Sequence, residues 1–512
     1  MEVKEKITND IKDAGVFSIM ADTTPDVSHK DQMSVICRYV DHDGAVHERL
    51  LDLKEFREKT GEGQATAIIQ SVDQNGLDNK SIAFQSYDFT NSMSGKYNGA
   101  QAVVSRLLDR EVPYIPCQGH RSNTVNEHAC EASPIVSELF DTLQATYSFF
   151  SGSTKRYAVL HDELQNVENS LILRNLSLTR WTARAESLRA MWISYEAVIE
   201  VLRKISNDGS VDAKGKAAAT GLLAKVLRVD FVVSLMFMRI ILWKTKVLTE
   251  SLQKEDLNIV DALEALNGTV KSLQDIRKND EGIANQIQAS TEVLSGKYVD
   301  AAGEFAKLHR PRSQPRRLDD NPESAAEISM MNFYDREFKE VLDILIAQYK
   351  DNINASLEKV KALSIGLQPP LSSHHEEKDV KDLLNLFPLQ APDQAAFTAE
   401  FEVFVNVAMN EGNTNPIQSL ADAAKEAEKR KHIFPLTSQV YRLALTAPVT
   451  LAENERTFSK LKTVKTALRN SMSDHRLQNL ILLNSEKDIT DSVDLDILVE
   501  KWFMKTNRRI NL

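Results

Sequence analysis

The chain has 512 residues, a formal net charge of −11, 42% hydrophobic residues and 26% charged residues. This length and balance are typical of a globular protein with two or three domains. The negative charge excludes a dedicated nucleic-acid coat protein, which would be basic, so any contact with nucleic acid must come from local basic patches. Three cysteines are too few for a disulfide scaffold or a cysteine-rich zinc module, and they indicate a reducing compartment.

The first part of the chain alternates between strand and helix patterns. Short apolar or β-branched runs predict strands over residues 17–22, 33–40, 45–56, 81–88 and 114–117. Apolar residues at helical spacing predict helices over residues 64–72 and 99–108 and from about Arg121 onward. A hairpin meander followed by strand–helix units predicts a mixed sheet with helices on its faces, and RNase H-like folds have this order.

Two of the predicted strands end on an acid, namely Asp22 and Asp88. If the two strands are neighbours, both carboxylates lie at one edge of the sheet, where they can bind Mg²⁺ or Mn²⁺. Two such ions stabilise the attacking and leaving oxygens when a phosphodiester is cleaved. The alternative is a pair of turn or capping residues, since Asp and Glu together number 73 in this chain.

Strand patterns nearly vanish between about Glu138 and Arg430. Helical periodicity predicts helices over residues 183–205, 213–252, 259–273, 333–363 and 395–409. Residues 309–318 and 368–394 interrupt the pattern and predict exposed loops. The chain therefore divides into an α/β part at residues 1–145, an all-helical part at 146–430 and a helical tail at 431–512.

The tail carries an apolar and a basic face. The apolar stripe consists of Phe458, Leu461, Val464, Leu468 and Met472. It suits either self-association or packing on the chain's own sheet. The basic residues on the other face are Lys462, Lys465 and Arg469. They suit either phosphate contacts or a solvated surface.

A few single residues could bind a metal or DNA, and each also has a purely structural interpretation. The four soft ligands Cys117, His120, His128 and Cys130 lie close together in the sequence, but their spacing differs from that of a zinc finger. A histidine near a polar cleft therefore explains His120 better than a structural zinc. Trp181 is either a core anchor or a ring that stacks on an unpaired base. Taken alone, Glu455 is a solvated helix charge.

Five segments, in order, resemble the hAT superfamily of DNA transposases, specifically its zinc-finger MYM-type-1-like, transposon-derived branch. They read MADTTPDVSHKDQMSVICRYVD, YDFTNSMSGKYNGAQ, CQGHRSNTV, LTRWTAR and LAENERTFSKLKTVKTALRNSMSDHRLQNLILL. The resemblance implies an α/β RNase H-like catalytic core that is interrupted by a large all-α insertion and followed by an α-helical C-terminal region. The last helix of the core would then arrive late in the chain.

The resemblance also implies roles for individual residues. Asp22, Asp88 and Glu455 would form a DDE-type acidic triad that holds Mg²⁺ or Mn²⁺, while Asp26 receives no metal role. His120 would lie beside this site with support from Cys117.

Contacts with DNA are implied as well. Arg180 and Trp181 would handle the distorted DNA that flanks a transposon, with Trp181 stacking on a base. The implied activity is cut-and-paste transposition in the nucleus, in which a metal-dependent enzyme cleaves transposon ends and joins them to target DNA. The C-terminal region would join the protein into a homodimer or a larger homo-oligomer.

The chain also departs from the family pattern. Relatives usually have glycine around the second acid, whereas this chain has Ser86 and Phe89, whose bulk is expected to narrow the approach of DNA. Glu453 and Asn454 precede Glu455 where relatives tend to have small residues. The zinc-binding domain of relatives is expected to be lost or truncated. Two hypotheses result: an active catalytic region, or a domesticated, catalytically silent protein that dimerises and binds nuclear proteins or DNA.

Overall fold

The structure is a computed structural model of the chain. The residues it describes are 2–176, 181–254, 257–295, 297–309, 329–353, 361–364, 367, 371, 376–408, 417–466, 469 and 471–505. They form helices for the most part, with one small mixed sheet near the N-terminus. No helix in these stretches is long and apolar enough to cross a membrane.

The chain divides into two compact units. Unit 1 comprises Met1–Arg121, Leu252–Glu264 and Asn354–Leu512, and unit 2 comprises Ser122–Ser251 and Ala265–Ile353. Unit 1 is thus assembled from three separate stretches of sequence. Unit 2 begins before residue 146 and ends well before residue 430, so its limits differ from those of the predicted all-helical part.

The four strands belong to unit 1 and form one sheet. They are β1 Phe17–Pro25, β2 Asp31–Val40, β3 Val46–Glu55 and β4 Ile82–Ser86. The order across the sheet is β3-β2-β1-β4; β2 pairs antiparallel with β1 and β3, and β4 pairs parallel with β1. The mixed sheet predicted from the sequence is therefore present.

The predicted fifth strand at residues 114–117 is reduced to a single bridge between Tyr114 and Gln85. Pro113 and Pro116 flank this short segment. Pro113 has no N–H to donate and ends the pairing on its side, whereas beyond Pro116 the Cys117 N–H still donates to the Tyr87 carbonyl at 3.0 Å. The segment packs beside β4, since the Ile115 N–H donates to the Gln85 carbonyl at 2.8 Å.

Twenty-three α-helices are described in the part of the chain that the structure covers. The first twelve are α1 Glu2–Ala14, α2 Gly61–Gln74, α3 Asn91–Ser94, α4 Ala100–Leu107, α5 Gln118–Ala132, α6 Pro134–Ser151, α7 Thr154–Leu164, α8 Trp181–Ile193, α9 Tyr195–Asn207, α10 Ala213–Val226, α11 Val229–Leu252 and α12 Ile259–Lys278. The others are α13 Asp280–Ser295, α14 Ala301–Leu308, α15 Met330–Gln348, α16 Glu377–Leu384, α17 Gln394–Ala408, α18 Leu420–Lys429, α19 Pro435–Thr446, α20 Ala452–Val464, α21 Asp474–Ser485, α22 Lys487–Asp491 and α23 Leu495–Lys505.

Some helices differ from the sequence expectation for local reasons. The run 183–205 is divided into α8 and α9 at Ser194, whose hydroxyl donates to the Leu171 carbonyl at 2.7 Å. The expected loop at 368–394 contains the helix α16, and of the expected loop at 309–318 only His309 is among the described residues. Helix α1 was not predicted, although Val3, Ile7 and Ile11 recur every four residues and are buried.

The apolar stripe of the tail packs on the core of unit 1. Phe458 and Leu461 are 7% and 1% exposed within the cluster that covers the sheet, and Val464 and Met472 pack against it. Leu468 lies outside the described residues. Burying a side chain of this size stabilises a fold by roughly 1.5–3 kcal/mol. Of the two alternatives for the stripe, the structure therefore shows packing on the chain's own sheet.

Candidate active site

Asp22 and Asp88 lie at the same level of neighbouring strands. In the parallel pairing of β1 with β4, Met20 is the partner of Ser86, and each acid follows two residues later. Neighbouring strands are about 4.8 Å apart, so both acids lie at the same end of the sheet. The sequence analysis required the two strands to be neighbours, and β1 and β4 are neighbours in the sheet.

The carboxyl group of Asp22 is buried, at 8% exposure. Burial is the main reason why the pKa of Asp22 is raised to about 7; His120 lowers this pKa, while Asp88 and Glu455 raise it. The Thr23 N–H donates to Asp22 Oδ1 at 2.8 Å and also lowers it. Asp22 therefore interacts electrostatically with both other acids of the expected triad, in a place where a negative charge is poorly compensated.

Asp88 is half-buried and is held by its own loop. The Thr90 hydroxyl donates to Asp88 Oδ1 at 2.7 Å, and the Tyr114 hydroxyl donates to the Asp88 carbonyl at 2.8 Å. The Thr90 N–H also donates to Asp88 Oδ1, at 3.2 Å, and this bond closes an Asx turn after β4. The Tyr114 bond ties the turn to the short segment that replaces the fifth strand.

Glu455 is placed by its neighbour in the first turn of α20. The side-chain amide of Asn454 is fully buried and donates to the Ser34 carbonyl at 3.2 Å and to Ser34 Oγ at 2.8 Å. Ser34 is the cross-strand partner of Asp22. The start of α20 is therefore fastened to β2 beside Asp22, which explains why the charge of the half-buried Glu455 acts on Asp22.

A second connection joins α5 to the same helix start. The Leu451 N–H donates to Cys117 Sγ at 3.3 Å, and the Gln118 N–H donates to the Val449 carbonyl at 3.1 Å. His120 lies one turn into α5. Its pKa is raised to about 10, first by its hydrogen bond to Cys117 and further by the charges of Cys117, Asp22 and Glu455, although burial lowers it.

These side chains are chemically suited to a hard divalent cation. Asp22, Asp88 and Glu455 supply carboxylate oxygens, and the buried Asp22 gains most from a nearby positive charge. Within the described ranges, no three His, Cys, Asp or Glu side chains already have a metal-binding arrangement. Cys117, His120, His128 and Cys130 are among these described residues, so the structure does not support the zinc alternative.

The residues expected to contact DNA are found in different environments. Arg180 lies outside the described residues. Trp181 in unit 2 is 4% exposed; its ring makes an edge contact with Phe140, and the Arg184 guanidinium lies 3.9 Å from its centroid. Its face is therefore covered, and a base can stack on it only after this packing opens.

The basic face of the tail is also divided. Lys462 and Arg469 are exposed. Lys465 is buried, and its ammonium donates to Asp26 Oδ2 at 2.5 Å, with side-chain exposures of 2% and 1%. Lys465 was expected to contact DNA phosphates from a polar helix face. Its ammonium instead forms a buried ion pair with the carboxylate of Asp26.

Sequence reasoning missed several residues that build the site. Asn454 drew attention only as a bulky departure, and its fit against Ser34 depends on a pairing of distant segments. Asp26 had been assigned no metal role, and its structural role with Lys465 spans most of the chain length. Arg38 on β2 is 1% exposed and donates to the carbonyls of Leu445 and Leu257 at 3.0 and 2.8 Å. No local pattern signals such long-range bonds.

Comparison with known proteins finds family matches at both ends of the chain. Residues 1–99 match the ZMYM1/FAM200 RNase-like domain family (DUF4371), and residues 416–489 match the hAT family C-terminal dimerisation region. The first match contains Asp22 and Asp88, and the second contains Glu455. Both matched regions belong to unit 1.

Two curated proteins are similar along nearly the whole chain. Both are named "52 kDa repressor of the inhibitor of the protein kinase": the Homo sapiens protein is 23% identical over 98% of this chain, and the Mus musculus protein is 23% identical over 99%. The chain spans 65% and 66% of their respective lengths. The resemblance inferred from the motifs is confirmed for two regions: residues 1–99 match a ZMYM1/FAM200-type RNase-like domain, and residues 416–489 match a hAT C-terminal dimerisation region.

Proposed function

We propose that unit 1 is the catalytic region of a DDE-type DNA transposase and performs metal-dependent phosphodiester cleavage and strand transfer. The supporting observation is the grouping of Asp22 on β1 with Asp88, two residues beyond the end of β4, because Met20 pairs with Ser86 and Glu455 is close enough to raise the pKa of Asp22. In this proposal unit 1 is an RNase H-like core, and the helical chain before α20 interrupts it.

Each group at the site has a part in the proposed chemistry. Asp22, Asp88 and Glu455 would hold Mg²⁺ or Mn²⁺, which stabilises the charge of a phosphodiester under attack. His120, whose pKa is raised first by its hydrogen bond to Cys117 and further by Asp22 and Glu455, would be a hydrogen-bond donor beside them. The exposed Lys462 and Arg469 are proposed phosphate contacts, whereas Lys465 is left out because Asp26 occupies its ammonium.

The remaining functional assignments are part of the same proposal. The substrate would be DNA at transposon ends and target sites, and the protein would act in the nucleus. Self-association would use the C-terminal region that matches the hAT dimerisation family.

A cleavage assay tests the proposal. Labelled, pre-nicked DNA at high concentration is incubated with the full chain and Mn²⁺, and nicking is followed over time. Glu455→Gln should lower the rate at least about 100-fold, the scale for losing one electrostatic contact to a transition state. Asp474→Asn, which removes an exposed acid from the first turn of α21, should leave the rate unchanged.

Metal binding is tested separately from cleavage, by the unfolding midpoint of the chain. Because a ligand that binds only the folded state stabilises it, Mn²⁺ should raise the unfolding midpoint of the wild-type chain. Glu455→Gln should respond less than Asp474→Asn does. Absence of both cleavage and a metal-induced shift in the folded wild type would reject the catalytic proposal.

A second candidate function is a domesticated, catalytically silent regulator that dimerises and binds nuclear proteins or DNA. It is favoured by the name of the human and mouse relatives, which describes a repressor. The lack of a ready metal-binding group of three side chains among the described residues favours it as well. A folded wild-type chain that self-associates but does not cleave DNA would support this candidate.

A further inference from the structure

A surface that no assignment above explains follows Asp88 directly. Phe89 and Tyr97 are 52% and 73% exposed, which is unusual for large rings on either side of a short helix, here α3. Each ring has a cation beside it: the Arg121 guanidinium carbon lies 4.7 Å from the Phe89 centroid, and Lys96 Nζ lies 5.8 Å from the Tyr97 centroid. All these residues belong to unit 1.

The backbone that carries the rings is closely packed. The Ser94 hydroxyl donates to the Phe89 carbonyl at 3.2 Å, and the Gly99 N–H donates to the Gly95 carbonyl at 3.0 Å. A Cβ at Gly99 would lie 2.3 Å from the Gly95 nitrogen, so this approach requires glycine. The exposed rings are therefore held by an ordered segment, which lowers the entropy lost when they bind a partner.

The charge of this segment is opposite to that of the whole chain. Residues 89–107 contain Lys96 and Arg106 and no Asp or Glu, although the chain has a net charge of −11. Arg106 also donates to the Tyr97 carbonyl at 2.9 Å. Aromatic rings interleaved with cations suit a nucleic-acid strand, which offers both base faces and phosphates.

The guanidinium of Arg121 is separate evidence for a bound anion at this surface. This residue is 9% exposed, its Nη1 atom is buried without a hydrogen-bond partner, and no carboxylate of the described residues forms an ion pair with it. An arginine keeps its charge even when buried, and an uncompensated buried charge is costly. A phosphate would supply the missing acceptor, because its oxygens match the planar guanidinium.

We propose that Phe89 and Arg121 form a platform for an unpaired DNA strand at the carboxylate site. A base stacks on the exposed face of Phe89, and the adjoining phosphate binds the Arg121 guanidinium beside it. The proposal rests on the proposed function, because Asp88 immediately precedes Phe89 and the strand held there leads to the three carboxylates. Phe89 thus guides the strand instead of narrowing its approach.

The test measures binding without cleavage. Fluorescence anisotropy follows a labelled short single strand, and a duplex of the same sequence, on the full chain carrying Glu455→Gln. Phe89→Ala should weaken single-strand binding about 5- to 150-fold, the range for losing one base–aromatic stack, while Phe89→Trp should preserve it. Tyr157→Ala, which removes an exposed ring from α7 in unit 2, should have no effect.

The phosphate contact is tested by the salt dependence. Arg121→Gln should weaken binding and lower the slope of log K against log salt by about 0.7, the value for one phosphate of a single strand. Arg121→Lys keeps the charge without the planar fork, so it should keep the slope and still weaken binding. Arg57→Gln, at an exposed position, should leave the slope unchanged.

Three outcomes would overturn the platform: wild-type binding of neither DNA, equal affinities for Phe89→Ala and the parent chain, or an equal loss for duplex and single strand. Failure of the proposed function is a separate result. A chain that binds the single strand through Phe89 and Arg121 but never cleaves DNA would keep the platform and reject the nuclease. A chain that carries Phe89→Ala and Arg121→Gln and still cleaves DNA normally would reject the platform and keep the nuclease.

Discussion

At the scale of single residues, Asp26 joins two ends of the chain. Its carboxylate accepts hydrogen bonds from the backbone N–H groups of Ser28 and Lys30, from the Gln32 amide, and from Lys465. Both members of the ion pair are nearly inaccessible. The pair therefore fastens the end of α20, which follows Glu455, to the loop that follows Asp22.

Removing one member of this pair should destabilise unit 1. Asp26→Asn leaves the Lys465 ammonium buried without a counter-charge and should lower the free energy of unfolding by about 3–5 kcal/mol. Urea unfolding measures the change, and Lys59→Gln, in an exposed pair with Asp31, is the control. A loss as small as that of the control would contradict the structural role of the pair.

The same pair predicts a pH dependence. Burial raises the pKa of Asp26, but Lys465 and the other three donors together lower it below the ordinary value of 3.8. A lowered folded-state pKa adds stability above the ordinary value, and this stability is lost as the pH falls through the folded pKa. The difference between wild type and Asp26→Asn should be full at about pH 7 and shrink at about pH 3. An unchanged difference would count against the ion pair.

The raised pKa of Asp22 predicts the opposite dependence of stability on pH. Its folded-state pKa of about 7 exceeds its ordinary value of 3.8, so ionising it costs stability as the pH rises between these values. Asp22→Asn should therefore stabilise the metal-free chain at about pH 8, by more than about 1.4 kcal/mol, the equivalent of one pKa unit. Thermal unfolding without divalent ions measures it. The comparison variant is Asp488→Asn, whose salt bridge to Arg49 gives a carboxyl with a lowered pKa; it should not be stabilised.

At the scale of elements, the start of α20 decides where Glu455 lies. Asn454→Ala removes both hydrogen bonds to Ser34 and should lower the free energy of unfolding by about 1–3 kcal/mol. If the proposed chemistry holds, Mn²⁺-dependent nicking should fall as well, since Glu455 loses its support. Asn479→Ala, at an exposed site on α21, should change neither quantity. Asn454→Ala with wild-type stability would show that α20 is placed by other contacts.

At the scale of the whole molecule, α23 has an uncovered apolar face. Leu495, Val499 and Phe503 recur every four residues and are 72%, 59% and 54% exposed. This helix follows the region that matches the hAT dimerisation family. Exposed apolar patches mark interaction surfaces, so α23 should extend the contact between two copies.

Light scattering at several protein concentrations tests this expectation. Changing Leu495, Val499 and Phe503 to serine should shift the chain toward the monomer. The urea midpoint, measured at a concentration where the wild type is itself monomeric, should stay the same, because these side chains are not part of the core. Asp496→Asn on the same helix should leave the mass unchanged. Equal masses for the triple variant and the wild type would place the self-association elsewhere.

The sequence alone determined the local structure and the chemical repertoire. Periodicity located all four strands and most helices, because burial of one face imposes spacing on the apolar residues. The positions of Asp22 and Asp88 after two strands predicted a shared edge, and parallel pairing places them there. The sequence did not show that the segment at Tyr114 forms only a single bridge. Its prolines limit backbone pairing but leave the apolar pattern of a strand unchanged.

Only the tertiary structure decided which distant residues meet. Asn454 with Ser34, Lys465 with Asp26, and Cys117 with Leu451 are separated by hundreds of residues, and no periodicity records such pairings. It also decided which residues lose contact with water: Trp181 and Lys465 are buried, whereas Phe89 is exposed. Burial depends on what the rest of the chain packs against a face, and for that physical reason a local pattern could nominate these residues but not assign their surroundings.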